Sequence, residues 1–208
     1  MVALQELDVK RSRSGLVHQV EEIAHELDMN FHFRPALEAQ GEQYGDAIFS
    51  RLPMRLIKAA ALPGLELNPS LEPRGALWVE ISAAEQKIQI INTHLGLRPA
   101  EKRLQIEALL GPDWLRHPSC TAPALLLGDF NALPRSFVWR ATVRALKDTQ
   151  QASAARRPQR TYPSRFRLGR IDHVFATANM KVLGVEAPST TLTRTASDHL
   201  PLIVEFEL

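Results

Sequence analysis

The stretch Pro123-Ala-Leu-Leu-Leu-Gly-Asp-Phe-Asn131 decides how the rest of the chain is read. Ala124 to Leu127 is a short, continuous apolar run, the pattern of a strand buried on both faces. The run stops at Gly128, where the chain must turn and present Asp129 and Asn131. Two positions apart, these side chains point the same way wherever the backbone stays extended. A carboxylate and a carboxamide at the end of a buried strand suit phosphoryl chemistry. One takes or orients a water proton, and the other donates to a charged oxygen. Both residue types also favour plain turns, so the reading depends on whether other strands end the same way.

They do. Ile88 and Ile90 lead into Ile91-Asn-Thr-His-Leu95, which puts His94 at a strand end. In the strand before it Leu77, Val79 and Ile81 share a face, and the gap Ala83-Ala-Glu-Gln86 predicts a hairpin. Downstream, a helix is predicted from Ser136, with Trp139, Val143 and Leu146 on one side. Arg170-Ile-Asp-His-Val-Phe-Ala176 carries Asp172, and a further strand spans Lys181 to Val185. Ser197-Asp-His-Leu-Pro201 carries Asp198 and His199 ahead of a last strand in which Leu202, Val204 and Phe206 face one way.

At the other end, Val2-Ala-Leu-Gln-Glu-Leu7 reads as the tail of a strand that finishes at Glu6. Ser14 to Met29 reads as an amphipathic helix capped by Ser14, with Val17, Val20, Ile23, Ala24 and Leu27 on one face. His18, His25 and His32 recur every seven residues, whereas a metal pair on a helix needs a spacing of three or four. Tyr44 to Pro53 reads as a short strand entering a turn, and Leu62 to Arg74 as a proline-rich connection. Pro99 opens a helix through Leu110 that Gly111-Pro112 ends. This order of elements predicts one α+β or mixed α/β domain over residues 1–208, with sheets sandwiched between helices.

Composition narrows the class. With 45% hydrophobic and 23% charged residues, the chain is that of an ordinary soluble globular domain. It contains no apolar run long enough to span a bilayer and opens on no signal-like segment. A lone cysteine, Cys120, forms no internal disulfide, so a reducing, cytoplasmic compartment is expected. The net charge of +2 is too small to imply nucleic acid, yet Gln151 to Arg170 holds six arginines and no acids.

Leu4-Gln-Glu6, Gly45-Asp-Ala-Ile-Phe-Ser-Arg-Leu-Pro53, Asn92-Thr-His94, Gly128-Asp-Phe-Asn131, Ile171-Asp-His173 and Ser197-Asp-His199 together resemble the ordered motifs of the endonuclease/exonuclease/phosphatase superfamily. The resemblance spans nearly the whole chain. It implies a four-layer α/β/β/α sandwich of the deoxyribonuclease I type, with the active site where the loops of two sheets meet. It implies Glu6 and Asp198 as metal-site acids, His94 as a contact to the scissile phosphate, and Asp129 with Asn131 as handlers of the attacking water and phosphoryl oxygens. Asp172 is implied to orient a catalytic His199. Mg²⁺, with Mn²⁺ as a substitute, suits such oxygen ligands; the choice of general base between Asp129 and a histidine stays open. Relatives carry an earlier strand with a metal-holding asparagine that this chain does not match, and Asp46 stands where they often have asparagine.

The expected activity is metal-dependent hydrolysis of a phosphoric ester, most simply a phosphodiester of a phospholipid or inositol phosphate. DNA cleavage is the alternative enzymatic reading, and an inactive phosphate-binding module the non-enzymatic one. Among Arg156, Arg157, Arg160, Arg165, Arg167 and Arg170, the substrate phosphate is assigned to Arg165, Arg167 or Arg170. The same arginines suit nucleic acid or an anionic membrane surface, although a solvated loop accounts for them equally simply. The first strand, with no preceding neighbour, is expected to leave an open edge that a second copy of the chain can pair with.

Overall fold

The computed structural model describes residues 1–153 and 158–207, so Arg156 and Arg157 lie outside the described residues. In chain order the elements begin with β1 (Val2–Val9), α1 (Gln19–Leu27), β2 (Asn30–Ala39) and β3 (Glu42–Ser50). β4 (Met54–Ala61), β5 (Gly75–Ala83), β6 (Gln86–His94), α2 (Pro99–Leu109) and β7 (Ala124–Asp129) follow. The chain closes with α3 (Phe137–Thr142), β8 (Lys147–Asp148), α4 (Thr149–Ala152), β9 (Asp172–Ala176), β10 (Lys181–Glu186), α5 (Thr191–Ala196) and β11 (Ile203–Glu207).

The strands form a six-stranded sheet ordered β4-β5-β6-β7-β9-β8, a three-stranded sheet ordered β1-β3-β2, and the pair β10-β11. Three apolar cores separate the layers. Leu126, Trp78 and Ile91 face α2 and α3 with Ile106, Leu109 and Val138. Leu125, Leu127, Leu77, Val79 and Ile81 face the other way, against Ile48, Ala3 and Phe206. Ala47 and Phe49, on the opposite side of β3 from Ile48, pack with Val20 and Ala24 of α1. Successive strand residues point to opposite faces, so each central strand feeds two cores. That is the physical content of the unbroken run at Ala124–Leu127. The outcome is a mixed α+β sandwich with helices outside two sheet layers.

Several local readings need correction. The first helix starts at Gln19, because Gly15 and Leu16 both take positive φ and break the backbone there. Ser12–Ser14 is a separate 3-10 turn, and the true cap is His18, whose Nδ1 accepts from the Glu21 N–H at 3.2 Å. β1 does not finish at Glu6 but runs on to Val9 through a register shift between Leu4 and Leu7, with Glu6 at φ 64°. β2 and β4 lack a clean alternating signal and have no counterpart among the elements expected from the sequence. Only β3 pairs with β1 among the described residues, which leaves the other edge of β1 open.

Candidate active site

Strand register builds the site. β6 and β7 run parallel and therefore end at the same sheet edge, where His94 is the pairing partner of Asp129. β9 runs antiparallel to β7 and begins at that edge, where Asp129 is the partner of Asp172. Three of the candidate site residues thus stand in one row across three adjacent strands.

Local chemistry then aims them. Gly128 has φ 132°, and a Cβ there would lie 1.9 Å from the Thr93 carbonyl oxygen, so only glycine fits at this turn out of the strand. The Asn131 N–H donates to Asp129 Oδ1 at 2.7 Å, which leaves Oδ2 as the oxygen nearer the histidines. That oxygen lies 3.6 Å from His94 Nε2 and 3.9 Å from His199 Nε2. Asn131 Nδ2 donates to the Leu95 carbonyl at 3.0 Å and sits 3.2 Å from His94 Nε2. Asp172 holds His199 Nδ1 at 2.9 Å, and Thr161 Oγ1 donates to the same carboxylate. The Tyr162 ring packs on His199 with centroids 4.7 Å apart.

These contacts set the charges. Burial opposes a charge on His199, but its hydrogen bond to Asp172 and the carboxylates of Asp172, Asp129 and Asp198 outweigh it and carry the pKa up to about 9. Burial, reinforced by the Asp172 carboxylate, pushes Asp129 up to about 6. Burial and the neighbouring Arg74 guanidinium hold His94 neutral, down to about 3. The site therefore pairs one charged and one neutral imidazole.

Glu6 reaches the row from the other sheet. Its Oε1 lies 3.8 Å from His94 Nδ1, with the side chain 61% exposed. The bulge that turns Glu6 outward is held by fully buried Asn92 of β6. Asn92 Nδ2 donates to the Leu4 and Ala47 carbonyls at 3.1 and 3.2 Å, and its Oδ1 accepts from Gln5 Nε2 at 2.7 Å. Burial and the nearby carboxylates of Asp172 and Glu6 raise the proton affinity of Asp129, a stress that a divalent cation would relieve. Carboxylate oxygens of this kind suit a hard divalent cation.

The row does not include every expected residue. Among the described residues, ligand atoms of Asp172, Asp129 and His199 lie within 4.8 Å of one another and form the group able to share an ion, whereas the two expected metal acids, Glu6 and Asp198, stand outside it. Asp198 is exposed; its backbone carbonyl accepts from Ser164, and its charge supports His199. Arg170 is not a substrate residue. It is buried, and its Nη2 donates to Asp148, so its charge is spent inside the fold. Arg165 and Arg167 are exposed on the loop beside His199. His173 is also structural: it is buried between Phe130 and Phe175 and its Nε2 donates to the Ala132 carbonyl at 2.8 Å.

Three neighbours had no local signal. Arg74 ends the proline-rich connection, yet its Nη1 lies 2.8 Å from His94 Nδ1 and 2.9 Å from Glu72 Oε1. Lys102, in the first turn of α2, donates to the Asn131 carbonyl. Tyr162 is placed on His199 only by the path of its loop. Proline and helix patterns point to elements, whereas these contacts come from how distant elements meet.

A model of the Endonuclease/Exonuclease/phosphatase family matches residues 1–199. The uncharacterized protein YbhP of Escherichia coli K12 is 30% identical over 180 residues, covering 84% of this chain and 67% of that protein. An endonuclease/exonuclease/phosphatase family protein from Leptotrichia buccalis superposes with a TM-score of 0.78 at 16% identity, over 99% of this chain and 86% of its own. A mannosyl-6-phosphatase from Bacteroides thetaiotaomicron gives 0.72 at 17% identity, over 91% and 81%. At such identities the two structures speak for the fold alone.

Proposed function

The chain belongs to the Endonuclease/Exonuclease/phosphatase family, a family of hydrolytic enzymes, and from that premise we propose that it is a divalent-metal-dependent phosphodiesterase acting on a phospholipid or inositol phosphate. The observation that carries this reading is the line Asp172–His199–Asp129. With Nδ1–H donating to Asp172, His199 keeps a proton on Nε2 near neutral pH, at the atom that faces Asp129. An imidazolium held there donates to the charged oxygen that develops in the transition state or departs from phosphorus.

Asp129 supplies the complementary group. A carboxylate with its pKa near 6 is ionised at neutral pH yet basic enough to take a proton from water. The Asn131 backbone N–H holds one of its oxygens, leaving the other for that water. In this reading His94 and Asn131 are the groups assigned to the non-bridging phosphoryl oxygens. Glu6, on the exposed side of the row, would hold Mg²⁺, which when bound neutralises phosphate charge and polarises the ester.

The test is release of nitrophenol from bis(4-nitrophenyl) phosphate with Mg²⁺, Mn²⁺ or a chelator, alongside Glu6→Ala. Metal-dependent turnover lost in the variant is the expected outcome. Turnover that survives the chelator removes the metal from the reading, and no turnover with either cation removes the hydrolase. Exposed Arg165 and Arg167 beside His199 favour a second reading, DNA cleavage, which nicking of supercoiled DNA in preference to diester turnover would support.

A further inference from the structure

A short hairpin stands beside the site. Tyr162 and Gly169 exchange backbone hydrogen bonds of 3.1 and 2.6 Å, and between them lies the tip Arg165-Phe-Arg-Leu168. All four tip residues are exposed, Phe166 at 72% and Leu168 at 70%. Leu133, 55% exposed, comes up alongside, since a Cβ built on Gly169 would meet its Cδ2 at 3.8 Å.

The hairpin is anchored. The N–H groups of Phe166 and Arg167 both donate to the Pro163 carbonyl, and the N–H of buried Ser164 donates to the Asp198 carbonyl at 2.6 Å. Its root, Tyr162, packs on His199. The tip is therefore fixed relative to the catalytic imidazole. Single exposed apolar side chains are ordinary, but two on one tip between arginines, with exposed Leu133 against the root of the same hairpin, make a contact surface.

We propose that this tip docks the protein onto an anionic lipid bilayer, with Phe166, Leu168 and Leu133 entering the interfacial region and Arg165 and Arg167 engaging headgroup phosphates. The proposal deepens the phosphodiesterase reading and rests on it for the reaction; it makes the substrate class a phospholipid presented at a membrane surface. The chemistry chooses the partner. Cations beside aliphatic and aromatic tips match the boundary between headgroups and acyl chains. A nucleic acid would use the arginines, but leucine has neither a stacking face for a base nor a donor for phosphate.

Co-sedimentation of the full chain with vesicles tests this, using phosphatidylcholine alone and phosphatidylcholine mixed with phosphatidylglycerol. Binding to the mixed vesicles is expected, with a loss of about tenfold or more in F166S/L168S. R165Q/R167Q should lose the preference for the anionic mixture. Because Phe166 and Leu168 are exposed and touch no reacting group, F166S/L168S should keep its thermal midpoint and its turnover of bis(4-nitrophenyl) phosphate. Equal binding by wild type and F166S/L168S, or a defect in duplex DNA binding in place of the vesicle defect, overturns docking. Vesicle binding that falls in the variant while neither protein turns over the soluble diester keeps docking and rejects the catalytic reading. The reverse pattern keeps catalysis and rejects docking.

Discussion

At the scale of single residues, His199 is pulled two ways: burial resists its charge, and three carboxylates demand it. The carboxylates win, so the folded pKa of about 9 stands above the ordinary 6.5. The stabilisation of the folded state is therefore complete below about 6.5 and lost as pH rises through about 9. Activity should fall along the same upper limb. At the lower limb activity should rise as Asp129 ionises near pH 6. Added Mg²⁺ should move that lower limb down, because a cation favours the carboxylate. Rate profiles at low and high Mg²⁺ check this, and a lower limb indifferent to the metal separates Asp129 from the metal site. Asp172→Asn keeps the shape but removes the charge. It should cut kcat by about 10²–10⁴ with little change in KM, and shift the upper limb toward ordinary histidine values. A change confined to KM would make Asp172 a binding residue.

At the scale of elements, the proposed catalytic row depends on two backbone irregularities. The bulge in β1 turns Glu6 out, and Asn92 of β6 satisfies the carbonyls that this and the neighbouring strand present to it. Asn92→Ala leaves the part-buried Leu4 carbonyl and the buried Ala47 carbonyl without that partner. A loss of about 2–4 kcal/mol in denaturant unfolding is expected, with weaker Mg²⁺ dependence of turnover. Lost stability with an unchanged Mg²⁺ response would show that the bulge is set elsewhere. Gly128→Ala tests the turn that releases Asp129. A Cβ at 1.9 Å from a backbone oxygen cannot be absorbed by a rotamer change, so β7 must shift against β6. A cost of about 2–4 kcal/mol and loss of most turnover are expected, read by thermal melting and diester assay.

At the scale of the whole molecule, three cores hold the layers, and one ion pair is sealed at the end of the large sheet. Arg170 and Asp148 are both buried, and Trp139 Nε1 also donates to Asp148 at 2.8 Å. Removing one partner strands the other charge. Arg170→Met should therefore lower stability by about 3–5 kcal/mol. At temperatures where the variant stays folded, KM for the soluble diester should match wild type. A raised KM with unchanged stability would return Arg170 to the substrate.

What the sequence determined by itself was whatever depends on near neighbours. The apolar run Ala124–Leu127, the hairpin at Ala83–Gln86 and the polar residues at strand ends are periodic or punctual signals, and they mark burial on two faces and the candidate site residues, not their convergence. The ordered motifs added the family, and with it the sandwich. Tertiary structure alone decided the rest. Register across β6, β7 and β9 aligned His94, Asp129 and Asp172, and a bulge with a partner 88 residues away exposed Glu6. The two arginines closest to the question were sorted the same way: Arg170 was drawn inside by Asp148, and Arg74 was brought to His94 from an irregular connection. Side-chain type says which interactions a residue can make. Only the packing of distant elements determines which partner arrives, and so whether an arginine meets water, a carboxylate or a substrate.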